Sequence, residues 1–90
     1  MNAPSAEQIP ELNNMFRLQW EEAQDSYVLL YPEGMVKLSP SAAEILKRID
    51  GSTSVDGIVQ DLEQAFQGAD LRNDVIAFLR QARENGWIKL

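Results

Sequence analysis

Apolar and polar residues alternate one for one through Phe16-Arg-Leu-Gln-Trp20, the two-residue period of a half-buried strand. Residues 21–26 form a polar turn. Tyr27-Val-Leu-Leu-Tyr31 then carries apolar residues on both faces, as a central strand does. Pro32-Glu33-Gly34 reads as a short turn, its proline restricting one backbone position and its glycine freeing another. Met35-Val-Lys-Leu38 is a third strand. Three strands joined by tight turns predict an antiparallel meander.

From residue 39 the period lengthens to that of a helix. Ser39 is a natural N-cap, and Pro40 occupies the first helical position, where its missing N–H is harmless. Ala42, Ile45, Leu46 and Ile49 line one face before Asp50-Gly51 ends the helix. Thr53 or Ser54 caps a second helix with the stripe Val55, Ile58, Val59, Leu62 and Phe66, closed at Gly68. Asp70 is placed to cap a third helix, with Leu71, Val75, Phe78, Leu79 and Ala82 inward and Asn85-Gly86 at its end. Trp87-Ile-Lys-Leu90 is an apolar tail expected to fold back onto the body. Residues 1–13 are polar, contain Pro4 and Pro10, and show no sustained period, which reads as a mobile arm. The expectation is a single domain over residues 14–90. Its class is α+β, with helices on one face of a small sheet. Two helices joined by a tight turn, a third helix and an attached hairpin predict a winged helix-turn-helix architecture.

Composition removes most chemistry. The 90 residues contain no cysteine and no histidine. Disulfides, thiolate metal sites and every imidazole-dependent triad are therefore excluded. Fourteen Asp and Glu against eight Lys and Arg give a formal charge of −6, which opposes nucleic-acid binding because phosphates call for a net basic surface. No apolar run is long enough to span a bilayer, and Met1-Asn-Ala-Pro-Ser-Ala-Glu lacks the basic and apolar regions of a signal peptide. The chain reads as cytoplasmic and soluble, with no residue set that calls for a cofactor or metal, and small-hydrolase chemistry is not expected.

Two surfaces are candidates for binding. On the third helix Arg72, Ile76, Arg80 and Arg83 recur at spacings of four, four and three on one outward face. Solvated surface arginines are the bland account, and Asp70, Asp74 and Glu84 on the same helix oppose duplex DNA. A basic stripe on an acidic body suits a small acidic peptide better. The third strand, Met35 to Leu38, is left with a free edge if the second strand pairs with both neighbours. Lys37 blunts that edge against aggregation, or the edge accepts an extended peptide as an added strand. The working form is expected to be a monomer, with the Pro32-Glu33-Gly34 turn and the Asp50-Gly51 connection as the two places through which chains could trade hairpins at high concentration.

The chain resembles the pyrroloquinoline quinone (PQQ) biosynthesis protein D (PqqD) family over about residues 15–90. The resemblance rests on Phe16-Arg-Leu-Gln-Trp20, on Val28-Leu-Leu-Tyr-Pro-Glu-Gly34 with Val36-Lys-Leu-Ser39, and on Ala43-Glu-Ile-Leu with Ile49-Asp-Gly51. Val55-x-x-Ile-Val-x-x-Leu62, Phe78-Leu and Gly86-Trp-Ile88 complete it. It implies a non-catalytic peptide chaperone that binds a precursor peptide (PqqA) and presents it to a radical S-adenosylmethionine enzyme (PqqE). That enzyme holds the cofactors and cross-links a glutamate and a tyrosine of the peptide. The implied groove has Met35, Val36, Lys37 and Leu38 on one side and Arg72, Ile76, Leu79, Arg80 and Arg83 on the other. Recognition of another ribosomally made, modified peptide is the nearest alternative, and a winged-helix DNA-binding regulator a more distant one.

Overall fold

In the computed structural model, which describes residues 3–90, the chain is α+β with a three-stranded antiparallel sheet and three helices. Strand β1 is Glu11–Leu12, β2 is Arg17–Glu21, β3 is Ser26–Tyr31 and β4 is Gly34–Lys37. Helices α1 (Pro40–Leu46), α2 (Val55–Ala65) and α3 (Arg72–Glu84) follow, and β5 (Ile88–Lys89) closes the chain. The sheet order is β2-β3-β4, the expected meander, with the third strand of the sequence pattern now β4.

Register separates the two faces of the sheet. Leu18, Leu29 and Val36 lie opposite one another, as do Trp20 and Tyr27. With Phe16, Tyr31 and Leu38 these positions form the inward face, because side chains two apart along a strand share a side. Leu29 is fully buried and Leu38 nearly so, both within the core formed with Ile45, Leu46, Val55, Ile58, Val59, Leu62, Val75, Leu79 and Ile88. Edge-on Trp20 against Tyr27 (5.2 Å between ring centres) and tilted Phe16 against Tyr31 (5.3 Å) extend this face to the sheet ends. Val28, Leu30 and Met35 point the other way; none of them joins the main core cluster, although Val28 is fully buried.

Ser39 and Ser54 cap their helices as the sequence predicts, but α1 stops at Leu46, short of the expected end at Asp50-Gly51. The Arg48 and Ile49 amides bond three residues back, to Ile45 and Leu46, and tighten the chain out of the helix. Ser39 Oγ accepts from the Ala42 amide at 3.2 Å, and Ser54 Oγ accepts from the Gly57 amide at 3.1 Å. Between these helices Asp50 acts as a turn-former. Its Oδ1 accepts the Ser52 and Thr53 amides, each at 2.9 Å, and Oδ2 accepts the Thr53 hydroxyl. Gly51 beside it has φ +79°, a backbone state that side chains resist. Asp70 does not cap α3. The helix starts one residue later, with Leu71 in the N-cap position and no side-chain cap. Instead Glu63 Oε2 reaches from α2 to accept the Leu71 amide at 3.0 Å, so tertiary packing supplies the missing acceptor. Phe66, expected on the buried stripe, follows the last residue of α2 and is 51% exposed.

The mobile arm expected over residues 1–13 also needs correction where it is described; residues 1 and 2 lie outside the described part. The carbonyls of Gln8 and Ala6 accept the amides of Val55 and Asp56 at 2.8 and 3.0 Å. Those are two of the N–H groups that a helix start leaves without intrahelical partners. Pro4 and Pro10 are buried, and β1 pairs with β5 through Glu11–Lys89 and Leu12–Ile88. The apolar tail therefore folds back as anticipated, onto the N-terminal segment.

Ion pairs tie α1 to α2. Arg48 contacts Glu44 at 2.9 Å and Asp61 at 2.6 Å, and Lys47 meets Glu44 at 2.9 Å while its ammonium lies 5.1 Å from the centre of the Tyr27 ring. Hydrogen bonds from Lys47 and then Arg48 hold the Glu44 carboxyl below the ordinary glutamate range. The Ser52 and Thr53 amides, with the Thr53 hydroxyl, hold Asp50 down in the same way.

Two outcomes are expected. Removing residues 1–10 should lower the urea-unfolding free energy by about 1–3 kcal/mol, the worth of two backbone hydrogen bonds. A truncated chain as stable as the full one would contradict the strap. For acid, a carboxyl with a depressed folded pKa stabilises above its unfolded value and loses that stabilisation as pH falls through the folded one. Stability should therefore decline below about pH 4.5, and Glu44→Gln should flatten the decline in denaturation curves taken from pH 6 to 2. An unchanged slope would show that Glu44 is not among the responsible groups.

Candidate functional site

Strand β4 is an edge, and its hydrogen-bond phase decides which groups remain open. The Leu38 amide donates to the Tyr27 carbonyl at 3.0 Å, so Tyr27 and Leu38 form a hydrogen-bonded pair. Such pairs alternate along an antiparallel ladder. Leu29–Val36 and Tyr31–Gly34 are therefore bonded as well, whereas Val28–Lys37 and Leu30–Met35 are not. It follows that Met35 and Lys37 direct their N–H and C=O away from the sheet. Two residues apart, they offer the donor and acceptor set that an added strand needs.

Where β4 runs into α1, the surface dips into a groove of about 640 Å³. Ser39, Pro40, Ala42 and Ile45 form one wall and Leu71, Asp74 and Phe78 the other, with Leu62 and Val75 at the base and Phe66 at the α2 end. The lining is mainly apolar, with Glu44 and Asp74 supplying carboxylates. Glu44 is already engaged by Lys47 and Arg48. Asp74 is exposed and has no ion pair among the described residues. This arrangement can hold an extended chain by its backbone at β4 and take apolar side chains into the groove. Among the described residues, no cluster of three or more Asp or Glu is placed to hold a metal ion, and no helix is long and apolar enough to cross a membrane.

The sequence-derived site residues divide between this place and others. Met35 is 46% exposed and Lys37 is exposed, both at the open edge. Val36 and Leu38 turn inward and pack in or against the core. On α3, Leu79 is fully buried and Ile76 half-buried against the core. Arg72 Nη2 bonds Asp56 Oδ1 at the start of α2, at 2.6 Å. Arg80 is exposed and Arg83 half-buried.

At 100° per residue, Arg72, Ile76, Arg80 and Arg83 share one flank of α3, while Leu71, Asp74 and Phe78 share the other. The groove lies on the second flank. The arginine stripe is thus real as a pattern, but the packing of Val75, Leu79 and Ala82 turns it away from the groove. Phe66, Leu71, Asp74 and Phe78 escaped the sequence reading because Phe66, Leu71 and Phe78 look like core residues. The spacing of Leu71, Asp74 and Phe78 on a single flank was the signal available.

Comparison with known proteins gives a consistent result. The family described as coenzyme PQQ synthesis protein D (PqqD) matches residues 26–88. A PqqA binding protein of Azotobacter vinelandii is 50% identical over 91 residues, covering 100% of this chain and 99% of its own. The solution structure of the PqqD truncation of Methylobacterium extorquens PqqCD, a stand-alone recognition element for a ribosomally synthesised and modified peptide, superposes with a TM-score of 0.80. It is 30% identical, with 98% of this chain and 96% of that one covered. The crystal structure of PqqD from Xanthomonas campestris gives a TM-score of 0.58 at 34% identity, covering 96% and 98%.

Proposed function

The chain belongs to the coenzyme PQQ synthesis protein D family, and we propose that it is a peptide chaperone of PQQ biosynthesis that acts by binding alone. Its ligand is the PqqA precursor peptide, the partner named for its relatives. The observation that carries this reading is the pair of open backbone positions, Met35 and Lys37, beside an apolar groove. The peptide adds to β4 as a fourth strand, and its alternate side chains enter between α1 and α3. Main-chain bonds supply affinity and the pockets set register.

The site keeps Met35 and Lys37 of the expected strand, whose Val36 and Leu38 face the core, and exchanges the helical half for Leu71, Asp74 and Phe78 with Phe66. Arg80 acts at a distance as part of the protein's field. The bound peptide is handed to a radical S-adenosylmethionine enzyme (PqqE), which carries the chemistry and its own cofactors. The domain works in the cytoplasm as a monomer, since a peptide on β4 occupies the edge through which two chains would pair. Its helix arrangement with an attached hairpin is of the winged-helix type, used here without nucleic acid.

Calorimetric titration with PqqA tests the site. Lys37→Pro removes an outward amide and leaves the β3–β4 bonds intact, so it should abolish most peptide binding in a chain that still folds. Phe78→Ser should weaken binding about tenfold or more through loss of an apolar wall. Unchanged affinity in both variants, with native circular dichroism, would remove β4 and the groove from the site.

A further inference from the structure

The outer face of the sheet is a surface the peptide reading does not use. Two cross-strand rows define it. Arg17, Leu30 and Met35 stand side by side in one, and Gln19, Val28 and Lys37 in the next. Val28 is fully buried yet lies outside the main core cluster, so its neighbours on this face cover it. Met35 remains 46% exposed. The result is a small apolar strip between two cations at opposite corners, roughly 12 Å apart from strand spacing and rise.

The charge at this face is opposite to that of the molecule. The chain carries −6, and Lys47, Arg48 and Arg72 are each paired with carboxylates. Arg17 and Lys37 are exposed and have no ion pair among the described residues. Among the outward positions of the three strands Glu21 is the carboxylate; it sits opposite Ser26 at the far end, where Gln19 approaches it at 3.5 Å. An acidic surface meets here two exposed cations, one at each corner of an apolar strip. Nucleic acid and anionic membrane would meet a chain of net charge −6 through a patch with only two cations.

We propose that the outer face of β2-β3-β4 docks the peptide-modifying enzyme by fitting an acidic patch of that enzyme that has an apolar centre. This rests on the delivery reading above and names the face that performs it. The geometry serves that role because a peptide added at β4 continues the same sheet. Half of its side chains then emerge beside Met35 and Lys37, on the face that the enzyme would cover. One docking event thus engages the carrier and presents the peptide, and the groove behind the sheet stays filled.

Surface plasmon resonance with the immobilised radical enzyme, with and without saturating PqqA, provides the test. Arg17 lies two strands from the peptide edge, so Arg17→Glu should leave PqqA affinity unchanged. Its affinity for the enzyme should fall about tenfold or more, mainly through slower association. Arg17→Gln, which keeps a stem over Leu30, should show a smaller loss in the same direction. Raising salt from 50 to 500 mM should weaken the wild-type complex more than that of Arg17→Glu. Wild-type enzyme affinity with no loss in either variant would overturn the face assignment alone. No enzyme binding by the wild type, with or without peptide, would overturn the delivery reading together with it. A concentration-dependent doubling of mass that Arg17→Glu abolishes would give the face to a second copy of the chain, and likewise overturn the proposal.

Discussion

Strand β3 divides its backbone hydrogen bonds between two neighbours, and that division governs what the rest of the surface can do. Tyr27, Leu29 and Tyr31 turn their amides and carbonyls toward β4; Ser26, Val28 and Leu30 turn theirs toward β2. The phase is fixed by the inward face, since a slip of one residue would move Leu29 out of the core and Val28 into it. Once it is fixed, the open positions of β4 follow as Met35 and Lys37. No side-chain chemistry is needed for this. A chain without histidine or cysteine can still be specific, because an unpaired strand edge is itself a recognition element.

Packing places that edge beside the groove. The Ser39 cap and Pro40 start α1 immediately after β4, so strand end and helix start share one wall. Helix α3 supplies the opposite wall, held at that distance by Val75, Leu79 and Ala82 against the core. Its tail returns through Trp87, whose ring lies 6.4 Å from that of Phe78, to pair with β1. The N-terminal segment in turn accepts the free amides of α2. The groove is therefore supported from behind by both ends of the chain.

Much of this was legible in the sequence, for identifiable reasons. Alternation at Phe16–Trp20 and the doubly apolar Tyr27–Tyr31 follow directly from one-sided and two-sided burial. Ser39 and Ser54 act within a few residues of themselves, so local chemistry reveals them. The failures involve acceptors distant in sequence. Residues 6 and 8 bind α2 through carbonyls, which leave no mark on side-chain pattern. Asp70 had the right type for a cap, but Glu63, eight residues before Leu71, took the amide. The rotation of α3 was the costliest omission for the site. Arginine spacing defines a flank, and only tertiary packing decides which flank meets the groove.

The central claim is that peptide recognition rests on the alternate open amides of β4. Residue-resolved amide hydrogen exchange, with and without PqqA, tests it most directly. In the free protein Val36 and Leu38 should exchange slowly, and Met35 and Lys37 fast. On binding, Met35 and Lys37 should become protected while Val36 and Leu38 change little. Met35 and Lys37 amides that stay fast in the saturated complex would contradict the account.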